Sequence, residues 1–161
     1  MRRERRDADQ RRHRPPGRGE YNPWWDAAER YPAVHIEWHP IAPLHAAWVP
    51  SEGIILVDEA ITCAERRCAL AHEIAHMDTG DVNTTTCWFG TRQETAADRL
   101  AARRLIDPQE LAAVAQWCDD PREIAEELDV TLNVLAMRWR WMQSTERWPA
   151  RRARALREAV A

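Results

Sequence analysis

Two histidines four residues apart, His72 and His76, enclose Glu73 in the pattern His-Glu-x-x-His. On an α-helix, positions four apart lie on one face, about one turn from each other. Both imidazoles can then meet a single zinc ion, and Glu73 stands beside the remaining coordination position. The chemistry this permits is metal-assisted hydrolysis: two histidine ligands, a third ligand from elsewhere, and a water activated by the metal and deprotonated by Glu73. Five residues also coincide by chance. The rest of the chain must therefore supply a helix, a third ligand and a way in for substrate. The bland alternative is a structural helix with two polar rings that both need partners.

The helix has its signals. Thr62 is a candidate N-cap and Glu65, three residues on, completes a capping box. A helix is predicted over Cys63–Met77, with Gly80 just past its end. Its apolar residues fall on two stripes, Ala64, Cys68, Ala71 and Ala75 on one, Leu70 and Ile74 on the other. Residues 78–90 read as a loop, and a second helix is predicted from Thr91 to Ile106, ended by Asp107-Pro108. On it Glu94, Ala97, Asp98, Ala101 and Leu105 share a face, where the alanines allow close approach of a neighbouring helix. Arg92, Arg99 and Arg103 point largely away from that face.

Three sources could supply the third ligand. A glycine three residues after the second histidine, with a ligand three further on, would mark one class; Thr79 and Val82 occupy those positions and exclude it. Asp78 and Asp81 follow His76 so closely that they would have to fold back over the helix end. Glu94 remains, with Asp98 one turn later. In that reading Glu94 binds the metal and Asp98 accepts the spare N–H of a ligand histidine; the alternative for both is a solvated helix face. A donor to the oxyanion is also needed. His35, His39 and His45 are available from the sheet region, although each reads more readily as a surface or core histidine.

Upstream, Pro23 to Arg30 suits a short helix with proline in its first turn, closed by Tyr31-Pro32. Val34–Trp38 alternates as a strand does, and Ala46–Val49 and Ile54–Val57 form a hairpin turned at Pro50-Ser51-Glu52-Gly53. The predicted fold is α+β: a small N-terminal β-sheet packed on a mainly helical body, with the His-Glu-x-x-His helix at its centre. Downstream, Pro108–Cys118 suits a helix. Pro121–Leu128, Asp129-Val130-Thr131 and Leu132–Met142 then read as helix, tight turn, helix. A DNA-reading version would carry a basic second helix. Here Arg122, Arg138 and Arg140 face Glu123, Glu126, Glu127 and Asp129, so a structural or substrate-docking unit is favoured over direct DNA contact. Trp139 and Trp141 read as packing or contact residues.

At 161 residues the chain suits one domain with tails. Residues 1–20 hold eight arginines against four acidic residues and no hydrophobic periodicity, and read as a disordered basic arm. The arm is either a tether to a polyanion or, more simply, a solubilising tail. Residues 147–161 form a second basic end, with five arginines against Glu158. Because the total charge is only −3, the body between is strongly acidic. No apolar run is long enough for a membrane span, and no apolar stretch of a secretory signal follows the arginines, so a cytoplasmic protein is expected. Cys63, Cys68, Cys87 and Cys118 lack paired metal-site spacing and are expected to be reduced thiols in packing roles.

Three segments in order carry a resemblance: Gly53-Ile54-Ile55-Leu56-Val57, Arg66-Arg67-Cys68-Ala69-Leu70-Ala71-His72-Glu73-Ile74-Ala75-His76, and Glu94-Thr95-Ala96-Ala97-Asp98-Arg99-Leu100-Ala101-Ala102. The chain resembles the ImmA/IrrE family of metallo-endopeptidases over about residues 30–145. Asp98 stands where that family usually has asparagine, and Leu105-Ile106-Asp107-Pro108 where it has Leu-Leu-Met-Pro. The resemblance implies zinc on His72, His76 and Glu94, with Glu73 as base. It also implies a protein substrate, a helix-turn-helix repressor of a phage or mobile element. The expected division is a basic arm (1–20), a zinc-peptidase core (21–108), a helix-turn-helix-like unit of the same domain (109–146) and a basic tail (147–161). The competing class is a DNA-binding or protein-docking regulatory module whose metal is structural.

Overall fold

The computed structural model describes residues 21–80 and 87–142, the side chains of 87–91 excepted. The basic arm, Asp81, residues 143–146 and the basic tail lie outside the described residues. Helix α1 (Pro23–Arg30) starts on Asn22, whose side chain accepts from the backbone N–H of Trp24 and Trp25. Strands β1 (His35–His39), β2 (Ala46–Val49) and β3 (Ile54–Asp58) follow. Gly53, at φ 68°, closes the turn between the last two, with its N–H on Val49 C=O.

The expected hairpin is present, β2 pairing antiparallel with β3. On the other side of β3 lies β1, parallel to it, giving the order β1-β3-β2. Strand β2 is therefore an outer strand. Alternation along β3 turns Ile55 and Val57 into the core. On β1 it turns Ile36 and Trp38 inward and leaves His35, Glu37 and His39 exposed.

Helix α2 (Cys63–Thr79) has the full capping box on Thr62 and Glu65, and it ends on Gly80 in the left-handed conformation, φ 67°. Its two apolar stripes serve two different cores. Leu70 and Ile74 pack with Ala27, Ile55 and Val57 of α1 and the sheet. Cys68 and Ala71 pack with Ala101, Ala102, Leu105 and the helices that follow. A helix buried on both sides needs apolar residues on more than one stripe, which explains the mixed pattern along it.

Helix α3 (Cys87–Leu105) begins a turn earlier than Thr91. Gly90 lowers helix stability by about 1 kcal/mol relative to alanine but does not forbid a helix, and here it sits within one. Ala97 and Ala101 are buried, as the shared face requires, while Arg92, Arg99 and Arg103 are exposed. Helices α4 (Pro108–Trp117) and α5 (Pro121–Glu127) start on Asp107 and Asp120, each with proline in the first turn. The turn after α5 passes through Asp129 at φ 49° into α6 (Leu132–Met142). The fold is α+β, with α2 between the sheet and the helical body.

One side chain fixes the α5–α6 turn to α2. Arg67 is buried, and its guanidinium donates to the carbonyls of Leu128, Asp129 and Tyr21 at 3.0, 2.9 and 3.0 Å. Beside it, Cys68 Sγ accepts the N–H of Thr131. Cys68 and Cys118 are buried and Trp139 is in the core, whereas Cys63 is exposed at the start of α2 and fills no core position.

Candidate metal centre

His72 and His76 lie one turn apart on α2 with Nε2 atoms 2.9 Å apart and rings nearly perpendicular, at 79°. Glu94, from α3, brings Oε2 within 3.2 Å of His72 Nε2 and Oε1 within 3.3 Å of His76 Nε2. One ligand atom from each of the three residues lies within 4.8 Å of the others. Zinc with nitrogen and oxygen donors at about 2.0–2.1 Å sets neighbouring tetrahedral donors about 3.3 Å apart. The three side chains fit that spacing with small adjustments. The close approach of α3 that makes this possible runs through Ala97 and Ala101, which present no more than a methyl group between the helices.

Asp98 Oδ1 is 2.9 Å from His72 Nδ1. A carboxylate there holds the proton on Nδ1 and leaves Nε2, the atom facing Glu94 and His76, as the electron-pair donor. Burial by itself would lower the His72 pKa. The Asp98 hydrogen bond and the negative charges of Glu73, Asp98 and Glu94 outweigh it, and the net direction is upward.

Glu73 sits deeper. Its Oε2 accepts the backbone N–H of Trp48 on β2 at 2.8 Å. Burial raises its pKa most; the two imidazoles and the Trp48 N–H oppose that, and the carboxyl stays above its ordinary value.

Asp78 is turned away from this cluster. Arg30, Tyr31 and Arg104 all donate to its carboxylate. Burial pushes its pKa up, but those donors prevail and hold it below the ordinary carboxylate range. His35 and His39 are exposed on β1, with His39 Nε2 3.1 Å from Glu37. Of the three sheet-region histidines, only His45 borders the site.

The site opens on a groove of about 770 Å³. One wall is β2 with the residues leading into it, Leu44 to Trp48. The floor is α2, and α3 contributes Gln93, Glu94 and Asp98. The opposite wall is the start of α6, Thr131 to Val134. Sequence reasoning missed two of these parts. The Trp48 donor is a backbone group, which residue type cannot reveal. The α6 wall depends on the Arg67 and Cys68 contacts across more than sixty residues.

A helix-borne His-Glu-x-x-His and a glutamate from the adjoining helix form a group that could hold a metal ion, with Asp98 beside it. The Peptidase_M78 profile, described as the IrrE N-terminal-like domain, matches residues 36–140, and the chain belongs to that family of metallopeptidases. The match runs from β1 into α6 and so takes in every element that borders the groove. Among curated proteins, none matches the chain.

Proposed function

We propose that the protein is a zinc-dependent endopeptidase of the cytoplasm and that its substrate is a helix-turn-helix repressor of a phage or mobile element. The observation that carries the catalytic part is the convergence of His72, His76 and Glu94 beside Glu73 inside the groove. Two imidazoles and one carboxylate suit zinc and leave a position for substrate. Bound there, zinc would supply Lewis-acid polarisation of the scissile carbonyl and an acidified water.

The chain's own groups do the rest. Glu73 takes a proton from the attacking water and delivers it to the leaving amine. The Trp48 N–H holds one of its oxygens, so the carboxylate is oriented before substrate arrives. Asp98 keeps His72 in the tautomer that offers Nε2. Because β2 is an outer strand along the groove, an extended segment of substrate can lie beside it and use its outward backbone groups. The choice of a repressor rests on the resemblance to ImmA/IrrE peptidases and not on any residue of the groove.

The DNA-binding alternative meets an obstacle. In a DNA-reading helix-turn-helix the first residues of the second helix touch base edges. The corresponding residues, Thr131 to Val134, face the groove instead. Co-expression with the product of the adjacent gene, wild type against variants, tests the proposal. Wild type yields a metal-dependent fragment, Glu73→Gln keeps about one zinc per chain but yields none, and His76→Ala loses both. Cleavage by Glu73→Gln would overturn the role given to Glu73.

A further inference from the structure

The groove is longer than the metal centre needs. From His72 it follows α2 back past Ala69 and Cys68 to Glu65. The seven steps from Glu65 to His72 span roughly 10 Å of helix, or roughly three residues of extended chain. The end away from the metal has its own character. Ala69 lies one turn before His72 and leaves the floor low. Leu132 and Val134 of α6 form one side, and Leu44, 56% exposed, stands at the lip opposite.

We infer that this end of the groove is a pocket for an apolar side chain of the substrate, close to the scissile bond, with Ala69 setting its depth and Leu44 and Leu132 its sides. The inference rests on the peptidase reading and deepens it. Continuity argues for the occupant. The same cavity holds the three metal donors, so a peptide placed with its carbonyl at the metal and its backbone along β2 must send neighbouring side chains into the space over Ala69. Glu65 and His45 border the same cavity, but Glu65 is engaged by the N–H and hydroxyl of Thr62, so the small floor and aliphatic sides favour a branched or aromatic side chain over a charged one. The pocket also gives the α5–α6 pair a task, since Arg67 and Cys68 tie the turn before Leu132 and Val134 to α2.

The test uses zinc-loaded full-length protein and two short peptide hydroxamates, identical except that the residue next to the chelating group carries an isobutyl or a methyl side chain. Binding is followed by calorimetry, alongside zinc content and thermal midpoint. Wild type should bind the isobutyl compound at least about tenfold more tightly, the scale expected for filling an apolar pocket. Ala69→Leu should abolish that preference while holding zinc and binding the methyl compound as before. Leu44→Ser, at an exposed position that places no demand on folding, should reduce it. Equal binding of the two compounds by zinc-loaded wild type, or a preference unchanged in both variants, would overturn the pocket. A protein that takes up no zinc would overturn the peptidase reading, and the pocket's occupant with it.

Discussion

Among the residues of the site, Asp98 separates two tasks that a ligand combines. It touches His72 only at Nδ1, on the side away from Glu94. Asp98→Ala should leave the fold intact yet weaken zinc binding by about 10- to 100-fold, the usual effect of removing a carboxylate behind a metal-bound histidine. Competition with a chelator of known affinity measures it, and an unchanged affinity would remove Asp98 from the site. The sequence places Glu94 and Asp98 together because i and i+4 positions share a helix face, and the same rule places His72 with His76. Glu94 is favoured over its rivals by the sequence, and one of them, Asp78, has its carboxylate occupied by Arg30, Tyr31 and Arg104. The Trp48 N–H left no trace in the sequence, because every residue except proline carries the same donor.

At the scale of elements, caps, breakers and the β2–β3 hairpin were readable, and the pairing of β1 with β3 was not. Thr62 with Glu65, the alternation in β3, and the prolines opening α4 and α5 are local signals, and each element formed where they stand. The parallel docking of β1 on β3 depends on which side of a strand remains free, and residues 35–39 carry no mark of it. Residues 87–90, expected as loop, are helical, the local penalty of Gly90 being outweighed by the rest of a long helix. Arg67 is the strongest long-range determinant. Losing this buried guanidinium removes three hydrogen bonds to carbonyls at once. Arg67→Met should lower unfolding stability by about 2–4 kcal/mol in urea titration, on the scale of unsatisfied buried polar groups. Arg67→Lys should recover little, having one ammonium where a planar fork is required. A cost below about 0.5 kcal/mol for Arg67→Met would mean that the turn is held by other contacts.

For the molecule as a whole, α2 is the wall between two cores, and a charged cluster at its far end joins α1, α2 and α3. Burial works against ionisation of Asp26 and Asp78, but Arg30, Arg104 and the tyrosines hold both carboxylates below their ordinary pKa. Groups depressed in the folded state stabilise it fully above the ordinary carboxylate pKa near pH 4. That contribution is lost as pH falls through the lowered values. The thermal midpoint should therefore decline below about pH 4, and Asp78→Asn should lower it at neutral pH while converging on wild type in acid. Parallel curves at all pH values would remove Asp78 from the acid response. The hydrogen bond from Trp48 to Glu73 also bears on how the protein behaves in concentrated solution. Unpaired outer strands are templates on which chains associate, and proteins blunt them with inward-pointing charges. Glu73 of α2 covers the Trp48 donor on β2, so Glu73→Ala would bare an edge donor and invite self-association. Glu73→Gln keeps an acceptor in place, which makes it the inactive form to carry into substrate-trapping or crystallisation.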